Sequence, residues 1–417
     1  MNRLLLSLVC LLTLCPAWAA EEDERAELAW QMAWSRFYCP STCMFYDYLC
    51  SYELGCELAH LPVPDEVHRQ YPNPCGYGTG MEDCMILGGT MLETVVDRYR
   101  VTADTALHAQ ASAILQGIER ASSIREAPGF VARGIAPSDG TSYYINSSRD
   151  QYTHVVYGLW KYLHSPLSNA AERETIRTLL VGMADRMLKN VTPENEYDFL
   201  RADGRRCPLG ICRMWNVKPH EAARLPMIYA AAWDATGDSC YYRACHRYLS
   251  DAIQQSFAMS SDEPVYVLVQ MAYSFDLLRS VVAEREMQLR LSELLDRVGE
   301  MGLACARRVM ADLRSFTAAQ LAMTGPDWRT VKVWDNQQGY LIPRWGFYRT
   351  VWDRIREIGE ATLVIFMVNR SEMAAEGRDL LHQTLSLMDY TRLSSCGIVY
   401  HLAAYWEEKV QNKWQNK

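Results

Sequence analysis

Residues 85–120 read MILGGTMLETVVDRYRVTADTALHAQASAILQGIER, and the change of character halfway along decides the fold. Met85 to Val96 is apolar on nearly every side, whereas Ala103 to Arg120 keeps a charged face. A helix that is apolar all round is buried, and one with a polar stripe lies at the surface. The link between them, 98–101, is too short to separate them, so the two pack antiparallel.

The same pair recurs outward from this segment. Val155–Leu163, Leu225–Trp233, Val265–Leu278, Ala361–Val368 and Gly397–Trp406 are of the buried kind. Ala171–Lys189, Tyr241–Gln255, Ala283–Arg308 and Glu372–Asp389 are amphipathic. Alternating β-branched runs are nearly absent. The spacing predicts about twelve helices, over 22–37, 82–97, 102–123, 150–163, 170–189, 220–235, 239–257, 262–279, 284–310, 356–369, 373–389 and 395–411. Six buried and six exposed helices in alternation close into an (α/α)6 toroid, an all-α single domain spanning 20–417. The long connections, 38–81, 124–149, 190–219 and 311–355, then share one rim above the N-termini of the inner helices. Loops of that length are usually functional, and helix N-termini favour anions.

Composition narrows the setting. Arg3, the apolar run Leu4–Leu14 and Ala17-Trp18-Ala19 form a signal peptide over 1–19, which implies a secreted or periplasmic protein. A net charge of −8 without basic runs argues against nucleic acid and anionic membranes as partners. Of fourteen cysteines, Cys10 and Cys15 leave with the signal. The even remainder favours disulfides over metal. Cys39, Cys43, Cys50, Cys56, Cys75 and Cys84 cluster in or beside a Cys-rich insertion at about 38–81. Cys207 with Cys212 and Cys240 with Cys245 are local candidate pairs. No metal site and no cofactor is expected.

Chemistry concentrates in Gly129 to His154, GFVARGIAPSDGTSYYINSSRDQYTH. So dense a polar and aromatic loop suits a pocket for a polyhydroxylated substrate. Together with Gly80-Met-Glu-Asp-Cys-Met-Ile-Leu-Gly-Gly89, Ser148-Arg-Asp-Gln-Tyr-Thr-His154 and the alternating helices, it resembles the six-hairpin glycosidase superfamily. That superfamily comprises (α/α)6 glycoside hydrolases and the toroids of several polysaccharide lyases. The resemblance implies cleavage of a glycosidic bond by two carboxyl groups, with acids at inner-helix starts. Asp150 and Asp83 are the candidate pair, with Glu82 and Glu221 as substitutes. Each also suits a helix cap or first turn. Arg133, Tyr144, Asn146, Arg149, Tyr152, His154, His220 and Trp345 are the candidate substrate-binding residues. The arginines suggest an oligo- or polysaccharide containing uronic acid. Two rivals remain: a lyase using Tyr152 or His154 as base, and a non-catalytic helical scaffold or glycan-binding protein.

Overall fold

The buried helices start where polar loops end and stop where the chain meets charge or glycine. The computed structural model describes residues 21–335, 340–368 and 370–415. The segment 1–19, read above as a signal peptide, lies outside them. Fourteen helices occur among the described residues, with two short antiparallel hairpins and no larger sheet. The protein is all-α.

Helix α1 occupies 21–32 and runs into a π turn, Ala33–Phe37. The hairpin β1 (Tyr38–Cys39) and β2 (Met44–Phe45) follows, then the short α2 (Pro64–His68). The remaining helices up to the second hairpin are α3 (Cys84–Thr102), α4 (Leu107–Ser122), α5 (Arg149–Leu163), α6 (Ala170–Asn190), α7 (Arg224–Thr236), α8 (Ser239–Ser256), α9 (Val265–Val281), α10 (Arg285–Ser315) and α11 (Ala318–Leu321). After β3 (Val333–Asp335) and β4 (Leu341–Pro343) come α12 (Phe347–Val368), α13 (Ser371–Leu387) and α14 (Ser395–Gln415).

The buried helices pack on one another in chain order. Helix α3 lies on α5, α5 on α7, α7 on α9, α9 on α12, α12 on α14, and α14 on α3. The amphipathic helices sit against them: α4 and α6 on α3, α5 and α7, α8 on α7, α10 on α9 and α12, and α13 on α12 and α14. Burial follows the sequence pattern. Every residue of α3 from Cys84 to Asp97 is buried.

Helices α3 and α5 approach to backbone contact at two glycines. A Cβ on Gly89 would stand 2.3 Å from the His154 carbonyl oxygen, and one on Gly158 would stand 2.4 Å from the Gly89 carbonyl oxygen. This crossing sets the distance between the two helix N-termini, where Asp83 and Asp150 lie.

One boundary differs clearly from expectation. Helix α12 starts at Phe347, nine residues before the expected 356. Tyr348, Val351, Trp352, Ile355 and Ile358 form its buried stripe. The charged residues between them (Arg349, Asp353, Arg354 and Arg356) hid that period in the sequence. No helix of the described residues is long and apolar enough to cross a membrane.

Candidate active site at the helix N-termini

The long loops meet through their backbones. Asn146 N donates to Pro74 O, Arg149 N to Ile211 O, Ala202 N to Ile145 O, and Met85 N to Arg133 O. Between them and the starts of α3, α5, α7, α9 and α12 lies a cavity of about 280 Å³. Its lining includes Asp83, Asp150 and Glu221, the five arginines Arg133, Arg149, Arg224, Arg349 and Arg356, and Tyr77 and Tyr266. With the carboxyls ionised these charges sum to +2, within a chain of net charge −8. The N-termini of these five helices add their positive dipole ends.

Asp150 lies deep in the protein, yet 32 % of its side chain is reachable from the cavity. Ser148 is the N-cap of α5, and Asp150 is the second helical residue. Its Oδ1 accepts a 2.5 Å hydrogen bond from Arg224, whose side chain is buried. Burial alone would raise this carboxyl. The guanidinium groups of Arg224, Arg149 and Arg133 outweigh burial and hold it below the usual carboxylate range.

Asp83 is the N-cap residue of α3, but its side chain makes no cap hydrogen bond. Instead, Oδ1 accepts from Gln151 Nε2 at 3.1 Å and lies 3.5 Å from Arg133, and Oδ2 lies 3.9 Å from Arg356. The structure thus brings Asp83 and Asp150 to one cavity, with Arg133 beside both.

The other two acids are differently placed. Glu82 is buried, and its oxygens accept from Tyr48 OH at 2.7 Å, Gly78 N at 2.8 Å and Gly80 N at 2.7 Å. Those bonds fasten the loop before α3. Burial, reinforced by the charge of Asp83, pushes the Glu82 carboxyl up to about 7. Glu221 reaches the cavity, but it ion-pairs with Arg149 and accepts from Lys218 N at 3.1 Å. It stabilises the short turn Pro219–Glu221 as well as lining the wall.

Of the candidate binding residues, Arg133, Arg149 and His220 line the cavity. Arg133 donates to Glu82 O and to Tyr77 OH, each at 3.0 Å. Arg149 donates to Gly210 O at 2.7 Å and Arg213 O at 2.6 Å. Trp345 lines an adjoining lobe of about 550 Å³, which shares Tyr77 and Arg349 with the first. Its ring lies 3.8 Å from that of Tyr48.

Four candidates do not line either lobe. Tyr152 is buried against Phe199 and donates to Gly129 O at 2.8 Å. Tyr144 donates to Tyr71 O at 2.7 Å, and Asn146 Nδ2 donates to Tyr340 OH at 2.6 Å. These three hold the loops together. His154 stands behind the wall between Asp150 O and Tyr400 OH, each at 3.0 Å. Burial pushes its imidazole down to about 4, so it is neutral.

Sequence reasoning missed Tyr77, Arg224, Tyr266 and Arg356. A signal existed for Arg224: it is a lone arginine in the apolar run from Ala222 to Ala232. The sequence offers a second polar and aromatic stretch, Trp334-Asp-Asn-Gln-Gln-Gly-Tyr340, expected to face the pocket; residues 336–339 of it lie outside the described residues. The twelve described cysteines are free thiols. Cys207 and Cys212 do come together, hydrogen-bonded thiol to thiol, beneath the loop that carries Ile211. No family model matches the chain, and no curated protein is similar to it.

Proposed function

We propose that the protein is a carbohydrate-active enzyme, a glycoside hydrolase that cleaves an acidic oligo- or polysaccharide in this cavity. The observation that carries the reading is two carboxylates, Asp83 and Asp150, at one arginine-rich wall. Hydrolysis of a glycosidic bond needs one carboxyl group to protonate the leaving oxygen and one to act as base or nucleophile. Asp150, held charged by Arg224, suits the second role. Asp83, on the same wall, is assigned the first, and it must take up a proton against the pull of Arg133 and Arg356 to fill it. Surplus positive charge suits a uronate, since guanidinium groups bind planar carboxylates. Trp345 in the adjoining lobe offers an aromatic face to a second sugar ring.

The (α/α)6 toroid belongs to the same proposal. Contacts from α3 round to α14 and back to α3 support a closed inner ring, with α1, α4, α6, α8, α10 and α13 outside it. Export through the segment 1–19, and oxidation of Cys207 with Cys212 after export, complete it.

A second reading has its own observation. Tyr266 is 42 % exposed and shares the cavity with the arginines. A tyrosine base with an arginine neutralising the substrate carboxylate is what β-elimination at a uronate requires. Incubation with a panel of uronic-acid polysaccharides separates the two. New reducing ends without ultraviolet absorbance support hydrolysis, and absorbance from a new C4–C5 double bond supports the lyase. Absence of turnover on every glycan favours a binding or scaffold role.

A further inference from the structure

A second polar centre lies further along α3, about three to four turns from Asp83. Glu93 and Asp97 are one turn apart on α3, and Glu407 approaches from α14. One carboxylate oxygen from each lies within 4.8 Å of the other two. The three residues are 1 %, 1 % and 5 % exposed. Lys161 Nζ stands 3.1 Å from Asp97 Oδ1 and 3.7 Å from Glu407 Oε2, and Arg100 reaches Asp97 at 3.2 Å from a partly exposed position.

Glu93 is held less directly. Lys161 acts on it through space and Tyr273 lies beside it, but neither Glu93 oxygen completes a hydrogen bond of good geometry. A buried carboxylate without a partner is costly. Lys161 and Arg100 supply two positive charges to three carboxyl groups, both of them directed at Asp97. A cation within reach of Glu93 would give its oxygens a partner.

We propose that Glu93, Asp97 and Glu407 bind one hard divalent cation, Ca²⁺ in the first place. The donors are all oxygen, which suits calcium, magnesium or manganese rather than zinc. Oxygens within 4.8 Å of one another fit the ligand shell of calcium, with its bonds of about 2.3–2.6 Å. Magnesium keeps several of its waters and is seldom held by an all-protein cage. A cavity of about 350 Å³ reaches Glu407, with Arg100, Tyr157, Lys161, Asp276 and Arg279 also in its wall, and gives water access to that carboxylate. The bound ion would tie the first apolar helix, α3, to the last, α14.

The test uses the full chain, treated with EDTA and desalted, then titrated with CaCl2, MgCl2 and ZnCl2 by calorimetry and thermal melting. One Ca²⁺ binds per chain and raises Tm. Glu93→Gln weakens calcium binding by about tenfold or more, with an unchanged circular dichroism spectrum. Should that variant not fold, Glu407→Gln is read the same way. The proposal is overturned by wild-type chain with neither saturable calcium binding nor a calcium-dependent Tm. It is equally overturned by folded Glu93→Gln or Glu407→Gln protein that binds calcium as tightly as wild type, or by zinc binding in preference to calcium. None of these outcomes touches the reading of the Asp83–Asp150 cavity.

Discussion

Asp150 keeps its charge deep in the protein because three arginines face it. Asp150→Asn preserves an acceptor for Arg224 and removes the carboxylate. Turnover of the responsive glycan should fall by about 10²–10⁴, with KM changed little and the fold retained in a urea melt. An unchanged kcat would remove Asp150 from catalysis. His154 is a residue-scale case of a different kind. Its folded value is about 4 against an ordinary 6.5, and His60 and His401 behave alike because each is buried. As pH falls, the unfolded chain takes up these protons first. The histidine contribution is therefore complete above 6.5 and is lost on the way to about 4. Glu82 and Glu360, both raised to about 7 by burial, run the opposite way, and their contribution is lost as pH rises through 7. A difference measurement isolates the histidine effect. His401→Asn should flatten stability between pH 6.5 and 4 by up to about 3 kcal/mol relative to wild type, read by urea denaturation at several pH values.

Among elements, the α3–α5 crossing positions the two acids. Glycines at 89 and 158 let the backbones touch, so the loop before each helix delivers its aspartate to the same wall. Gly158→Ala forces the helices apart. The expected cost is about 1–3 kcal/mol in a denaturant melt, with a fall in kcat from the altered spacing of Asp83 and Asp150. Stability loss with full turnover would show that the crossing is structural only. Helix α12 contributes differently. Its first turns, which look like loop in the sequence, carry Arg349 into the cavity, and Arg356 follows about two turns later.

For the whole molecule, an acidic chain has gathered positive charge in one interior cavity. The arginines reach it from one loop, α5, α7 and α12, so no local segment is strongly basic. An oligosaccharide of uronic acids should raise Tm at millimolar concentration, and its carboxyl-reduced counterpart should not. Equal shifts from both would remove the charge argument and leave only stacking on Trp345.

The order and character of the twelve long helices were legible in the chain because burial imposes a period on local sequence, whereas the short α2 and α11 are too brief to show one. Burial on all sides marked α3, and a charged face marked α4. The period was lost where charged side chains interrupt the buried stripe, as at the start of α12. Asp83 and Asp150 could be read as rim acids from their place before apolar helices. Their sharing of one cavity could not, nor could the turning of Tyr144, Asn146, Tyr152 and His154 into the loop anchors and the core. A side chain's partner lies far away in sequence: Arg224 for Asp150, Tyr400 for His154, Tyr340 for Asn146. Local composition determined which residues were capable of chemistry and which helices were buried. Only packing decided which of those residues share a cavity, because that depends on distances between segments that local periodicity does not encode.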